Sequence, residues 1–107
     1  MAEQLIQPKI TGYRQLNDEE AQLMNLVKAK GQELGALLNK VETYLAAQRL
    51  DAERVSAGPE GADSDTGKAE LARIDAAQPG RWLNIGRTDL QTGVMAVIRA
   101  IAQPGGF

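Results

Sequence analysis

The chain has 107 residues, of which 43% are hydrophobic and 24% charged, and its formal net charge is −2. It contains no cysteine and no histidine, which excludes disulfides, thiolate nucleophiles, zinc fingers and Ser-His-Asp triads. No clustered Asp/Glu motif suggests a magnesium site. We therefore expect one small domain, residues 1–107, with no metal and no cofactor. An acidic chain is not typical of a DNA or RNA binder, although a few placed cations can still hold a small anion.

The chain shows no targeting or membrane-spanning pattern. The N-terminus lacks a charged region followed by an apolar one, as a secretory signal would have. No apolar run approaches the roughly 20 residues that span a bilayer. These features predict a cytoplasmic protein that does not contact a membrane.

Residues 1–16 carry little periodic pattern and include a candidate ligand loop. Pro8 and Gly12 break any long helix there. At Gly12 the backbone can approach a ligand closely, Tyr13 can stack on a base, and Arg14 can pair with a phosphate. In the alternative interpretation, Tyr13 merely covers the end of the following helix.

The first long helix is predicted to begin at Asn17 and to run to about Arg54. Asn17 and Glu20 have the spacing of a capping box. Lys28 lies beside the apolar seam, where several copies of the chain could bring it to one ligand, although a lysine on a helix is usually only a solvated charge. The seam follows a heptad pattern: Met24, Val27, Gly31, Leu34, Leu38, Val41 and Leu45.

Residues 56–67 consist of small, acidic and turn-forming residues without an apolar anchor, which predicts a flexible surface connection. A short helix is expected from Lys68 to Ala77, with Leu71 and Ile74 facing inward. Pro79-Gly80 should end it and start the last helix.

The last helix is predicted over residues 81–102, and its second half is apolar on nearly every side. Because so short a chain offers few elements to enclose it, partner subunits are the expected cover. Gly86 and Gly93, seven residues apart, would let another helix approach closely. The first half instead concentrates polar side chains on two turns: Arg81, Asn84, Arg87, Thr88, Asp89 and Gln91. A solvated outer face and a ligand site are both compatible with this group.

Two segments resemble a known family, the phage anti-CBASS cyclic-oligonucleotide sponge proteins (type 2). The first is residues 10–14 (Ile-Thr-Gly-Tyr-Arg) together with residues 17–34. The second is residues 81–95, which contain Arg-Thr-Asp-Leu-Gln-Thr-Gly-Val-Met, followed by residues 99–104 and the terminal Phe107. The block Arg-Thr-Asp-Leu-Gln-x-Gly-x-Met, residues 87–95, is the distinctive part of the match.

The resemblance implies an all-α fold, with a short N-terminal segment, a long antiparallel helix pair and a helical bundle assembled as a homohexamer. It implies a binding protein and not an enzyme. Such a protein sequesters cyclic di- and trinucleotides, for example 3′,3′-cyclic GMP-AMP and cyclic tri-AMP, inside the infected bacterial cell, and so blocks CBASS immunity without cleaving the signal.

The resemblance also implies two kinds of site. In the dinucleotide site Tyr13 would stack on the bases and Lys28 would bind phosphate. In the trinucleotide site we place Gly12, with Arg81, Arg87 and Thr88 as donors to phosphate. Arg14 is added as a further candidate for ligand binding.

There are three alternatives to the function that the resemblance implies. A related sponge would capture the cyclic ADP-ribose signals of Thoeris immunity. A structural helical oligomer would bind no ligand and would tolerate loss of Tyr13 or Lys28. An enzyme that hydrolyses cyclic nucleotides is disfavoured, because the chain has no histidine and no acidic metal cluster.

Overall fold

The computed structural model describes residues 14–105, which form three α-helices: α1 (Asp18–Ser56), α2 (Ala62–Ala77) and α3 (Pro79–Ala102). Within this range there is no β-strand. The predicted all-α class is therefore confirmed.

The predicted capping box starts α1. Asn17 Oδ1 accepts a hydrogen bond from the Glu20 backbone N–H at 2.8 Å, and Glu20 Oε1 accepts one from the Asn17 N–H at 3.0 Å. These two bonds satisfy backbone donors that an α-helix leaves free at its N-terminus. The acidic first turn also favours the positive end of the helix dipole.

The prediction of an irregular connection at residues 56–67 is wrong for the second half of that segment. α1 continues through Ser56 and α2 already begins at Ala62, so only residues 57–61 are irregular. Ser64 and Gly67 are buried, and Ser64 Oγ donates a hydrogen bond to the Ser56 carbonyl at 3.0 Å. The small residues that resemble a loop in sequence instead let α2 pack closely against the end of α1.

Residues with a positive φ flank α2 at both ends. Gly61 precedes α2 with φ +150°, which favours glycine, and Gln78 ends α2 in the left-handed region with φ 51°. Pro79 is then the first residue of α3, where its missing N–H costs no helical hydrogen bond. The predicted boundary between the two helices is confirmed, but it lies at Gln78: Pro79 and Gly80 already belong to α3, which begins two residues before the predicted start at residue 81.

Internal contacts group the chain into two compact units. Of the described residues, the terminal unit contains 14–33 and 90–105, and the middle unit contains 34–89. In the terminal unit, Arg14 contacts Ala102 and Gly31 lies against Val94, so α1 and α3 run antiparallel there. In the middle unit, α1 and α2 also run antiparallel, as the Ser64–Ser56 hydrogen bond and the Arg49–Asp75 ion pair at 2.6 Å show.

Four of the described residues are buried, and all of them lie in the middle unit: Ala52, Ser64, Gly67 and Ile74. The predicted seam of α1 is half-buried except at Val41, which is 38% exposed. No residue of α3 is buried within the single chain, and a Cβ added at Gly86 or Gly93 would meet open space. None of the three described helices is long and apolar enough to cross a bilayer.

Candidate functional site

The residues predicted to bind ligand fall into three groups. Gly12 and Tyr13 lie outside the described residues 14–105. Arg14 and Lys28 belong to the terminal unit. The third group belongs to the middle unit: Arg81, Arg87 and Thr88.

Arg14 joins the start of α1 to the end of α3. Its Nη1 donates to Glu20 Oε1 at 3.3 Å, and its Nη2 forms an ion pair with Glu20 Oε2. Nε donates to the Ala102 carbonyl at 3.1 Å, and Nη2 donates also to the Ile101 carbonyl at 2.9 Å. The guanidinium thus places a positive charge at the negative end of the α3 dipole. We call Arg14, Glu20 and these two carbonyls the Arg14 clasp.

The Arg14 clasp also sets the ionisation of Glu20. The hydrogen bond from Arg14 is the largest cause that lowers the pKa of the Glu20 carboxyl below its ordinary value of 4.5, and the hydrogen bond from the Asn17 N–H adds to it. Glu20 is therefore a carboxylate at neutral pH. It completes the α1 cap and also holds the Arg14 guanidinium. The sequence pattern predicted only the first of these two roles.

An open hollow of about 420 Å³ adjoins the Arg14 clasp in the terminal unit. Its lining is mainly apolar and includes Met24, Met95 and Ile98, together with the guanidinium-bearing Arg14 and Arg99. A concave, mainly apolar lining with a few polar groups at its edge is typical of small-ligand sites.

Lys28 is exposed on α1, and no hydrogen bond or ion pair of its side chain is found within the described residues. Lys30, two residues further on, instead pairs with Glu33 at 3.4 Å. The two lysines therefore differ in the charge that they can offer to an anion.

Arg81 and Thr88 are brought together in the middle unit. They line one open surface depression on α3 with Asn84, Ile85 and Asp89. Spacings of three, four and seven residues place these side chains on one helix face. Asn84 was not among the predicted ligand-binding residues, although its spacing of three from Arg81 places it on the same helix face.

Two neighbours fix the Arg81 side chain. Its guanidinium carbon lies 5.2 Å from the centroid of the Trp82 ring, a cation–π distance, and Nη1 donates to Gln78 Oε1 at 3.4 Å. Both contacts leave donors of the guanidinium free for a phosphate.

Arg87 lies apart from this depression and contacts α1. Nη1 donates to Asn39 Oδ1 at 3.4 Å, and Nη2 lies 3.8 Å from Glu42 Oε1. The structure of the single chain therefore brings two of the three middle-unit candidates together and gives the third a contact between helices.

The described residues contain no group of three or more acidic side chains that could hold a metal ion.

Sequence comparison adds two findings. Residues 8–102 match the family model described as Acb2/Tad1, hairpin domain. The chain is also 46% identical over 102 residues to Anti-CBASS protein 2 of Pseudomonas phage JBD67, an alignment that covers 92% of this chain and 94% of that protein. The family match extends through the Arg14 clasp and the α3 depression, and the chain belongs to the Acb2/Tad1 hairpin-domain family.

Proposed function

We propose that this protein is an anti-CBASS sponge, which binds cyclic di- and trinucleotide second messengers and sequesters them without cleavage. The observation that carries the proposal is the 46% identity, over nearly the whole length of both chains, to a protein named Anti-CBASS protein 2. The absence of histidine and cysteine from the sequence fits a function that needs placed donors and aromatic rings and no nucleophile.

In the proposed dinucleotide site, Tyr13 stacks on a base and Lys28 binds phosphate. The exposed position of Lys28, without a carboxylate partner in the described chain, supports this role. A lysine ammonium acts on phosphate as a point charge, so a competing carboxylate nearby would weaken its effect.

In the proposed trinucleotide site, Arg81 and Thr88 donate to phosphate, with Gly12 and Arg87 completing the set. The shared depression of Arg81 and Thr88 supports the first pair. Stacking on Trp82 limits the freedom of the Arg81 side chain and so reduces the entropy lost when a ligand binds.

The proposed assembly is a homohexamer in the host-cell cytoplasm. Large apolar side chains that are uncovered in the single chain support an oligomer, among them Leu26, Tyr44 and Met95 at 61%, 66% and 69% exposure. Symmetry would also gather several copies of each cation around one anionic ligand, although each chain is net acidic.

The decisive experiment is calorimetric titration of the purified protein with 3′,3′-cyclic GMP-AMP and, separately, with cyclic tri-AMP. The ligand is then released by heat and weighed by mass spectrometry. We expect both ligands to bind and to be recovered intact. Linearised product would show an enzyme, and binding of cyclic ADP-ribose isomers alone would identify a sponge for Thoeris signals.

Substitution of Lys28 tests the dinucleotide site. Lys28→Ala should weaken cyclic GMP-AMP binding about tenfold or more, because a hydrogen bond to a charged group contributes roughly 1.5–3 kcal/mol. Lys30→Ala is the matched control and should bind within about twofold of the wild type, since its side chain already pairs with Glu33. Equal losses in both variants would reject a specific role for Lys28, and no binding by a folded wild-type protein would leave a structural oligomer.

A further inference from the structure

The depression on α3 contains a carboxylate that phosphate binding alone does not explain. Asp89 lines it together with Arg81 and Thr88. A carboxylate can only accept hydrogen bonds, and its charge repels the phosphate that the other two residues are proposed to bind. A ligand that suits the whole depression therefore carries a hydrogen-bond donor close to one of its phosphate groups.

The Asp89 carboxylate is available to such a donor. The residue is exposed, and within residues 14–105 its side chain forms no hydrogen bond or ion pair. Arg81 lies two turns earlier on α3, about 12 Å along the axis at about 1.5 Å per residue. Its guanidinium contacts Trp82 and Gln78 instead of the carboxylate.

Thr88 would place a bound phosphate next to Asp89. The two residues are consecutive in α3, so their Cα atoms lie about 3.8 Å apart. Both side chains lean towards the N-terminus of the helix, where Ile85 lines the same depression. A phosphate that accepts a hydrogen bond from the Thr88 hydroxyl therefore lies close to the carboxylate, and the group attached to that phosphate meets Asp89.

The ribose 2′-hydroxyl is the donor that meets this requirement. In a 3′–5′-linked ribonucleotide it stands on the carbon next to the one that carries the phosphate, whichever base is attached. The N–H groups of the bases lie farther from the phosphate and differ from base to base. A carboxylate is also the acceptor that binds this hydroxyl in dinucleotide-binding domains, and the hydroxyl is the group by which proteins distinguish RNA from DNA.

Asn84 is the other acceptor in the depression, but it does not raise the same requirement. Its amide group can donate to a phosphate as well as accept a hydrogen bond, so a phosphate alone satisfies it. It also lies five residues before Asp89, which places the two side chains about 140° apart around the helix.

We propose that Asp89 accepts a hydrogen bond from a ribose 2′-hydroxyl. The α3 depression then selects cyclic ribonucleotides that have a free 2′-hydroxyl beside the bound phosphate. This inference rests on the proposed function, because Arg81 and Thr88 must hold that phosphate. It adds a determinant of specificity, since the cation and the threonine hydroxyl recognise a phosphate whatever sugar it is attached to.

Two ligands test the role of Asp89. Calorimetric titration compares cyclic tri-AMP with its 2′-deoxyribose analogue, and the readout is the ratio of the two affinities. The wild type should prefer the ribose ligand about tenfold or more, because the analogue loses a hydrogen bond to a charged group. Asp89→Ala should bind the two ligands within about twofold of each other. Both ligands carry the same phosphates, so any change in repulsion cancels in this ratio.

Asn84→Ala is the matched control, since it removes a polar side chain from the same depression. It should keep the wild-type preference for ribose. A preference that survives in Asp89→Ala would overturn the inference, because it would then come from the shape of the sugar, and so would a preference that only Asn84→Ala loses.

The wild type separates this inference from the proposed function. If it binds cyclic tri-AMP and the deoxyribose analogue equally well, Asp89 does not recognise the hydroxyl, and the sponge function stands. If the folded wild type binds neither ligand, the proposed trinucleotide site is itself wrong, and the inference fails with it.

Discussion

Three arginines of this chain show how differently the same side chain can be used. The Arg14 guanidinium donates hydrogen bonds to a carboxylate and to two carbonyls at a helix end. The Arg81 guanidinium instead lies over the exposed Trp82 ring and keeps donors free. Arg87 turns towards α1 at distances of 3.4 and 3.8 Å. Their sequence contexts gave no means of separating these roles, because each is simply a cation near other polar residues.

The difference between Arg81 and Arg87 leads to a prediction for cyclic tri-AMP. Arg81→Ala should weaken binding about tenfold or more, since a charged hydrogen bond to phosphate contributes roughly 1.5–3 kcal/mol. Arg87→Ala should cost less than Arg81→Ala, because the Arg87 guanidinium must give up its contacts with Asn39 and Glu42 to donate to phosphate, and the loss of these contacts offsets part of what Arg87 contributes. Calorimetric titration of both variants measures the difference, and a larger loss in Arg87→Ala would reverse the two assignments.

At the level of elements, α2 and its junction with α1 hold the buried residues of the described chain. A Cβ added at Gly67 would lie 2.5 Å from the Ser56 backbone nitrogen and 2.9 Å from the Ser56 Cα. The two helices therefore meet backbone to backbone. Such contact needs a residue without a side chain at this position, which explains why α2 begins in a stretch of small residues.

Gly67→Ala should destabilise the protein. Alanine favours a helix over glycine by about 1 kcal/mol, but the clash is with backbone, which cannot move aside as a flexible side chain can. Overpacking of this kind typically costs about 1–3 kcal/mol, so we expect a net loss of stability and a lower Tm in thermal unfolding followed by circular dichroism.

Gly35→Ala is the matched control for this change. It also lies within a helix of the middle unit, and a Cβ added there meets nothing within 4 Å. The helix propensity of alanine should then act alone and raise the Tm. If Gly67→Ala raises the Tm as much as Gly35→Ala does, the close approach of α2 to α1 is not present in solution.

At the scale of the whole molecule, α3 presents an apolar surface that the single chain does not cover. None of its residues is buried, and Trp82, Met95 and Val97 are 59%, 69% and 49% exposed. α1 adds further uncovered leucines. So many exposed apolar side chains on a small protein are typical of an interaction surface, which agrees with the proposed hexamer.

Introducing a charge into this apolar surface should disrupt assembly and leave the single chain folded. Leu26→Glu and Met95→Glu, made separately, alter side chains that are mainly exposed in one chain. At an interface between copies, either would bury an unpaired carboxylate. Native mass spectrometry should then show a hexamer for the wild type and smaller species for at least one variant.

Asn25→Glu provides the control, because it introduces the same carboxylate at an exposed polar position next to Leu26. This variant should remain hexameric. A wild-type protein that is monomeric at micromolar concentration, or two glutamate variants that both stay hexameric, would contradict the proposed assembly through these faces.

Local features of the sequence account for the helices and most of their ends. The capping box of Asn17 and Glu20, the break at Pro79 and the apolar seam of α1 depend on residues close in sequence, and local hydrogen bonds and backbone restrictions govern them. The motif of residues 87–95 also indicated the family that the comparisons confirm. These properties are local, so they can be predicted from sequence.

Other properties depend on contacts between residues that are far apart in sequence, and these appear only in the folded chain. Small residues at 62–67 are equally suited to a loop and to close helix packing, and only the approach of α1 selects a helix there. Arg14 could serve a ligand or the fold, and only the carbonyls of Ile101 and Ala102, 87 and 88 residues away, give its guanidinium a structural role. The role of an arginine in this protein depends on how many of its N–H donors are already bonded to neighbouring groups, and the fold determines which groups those are.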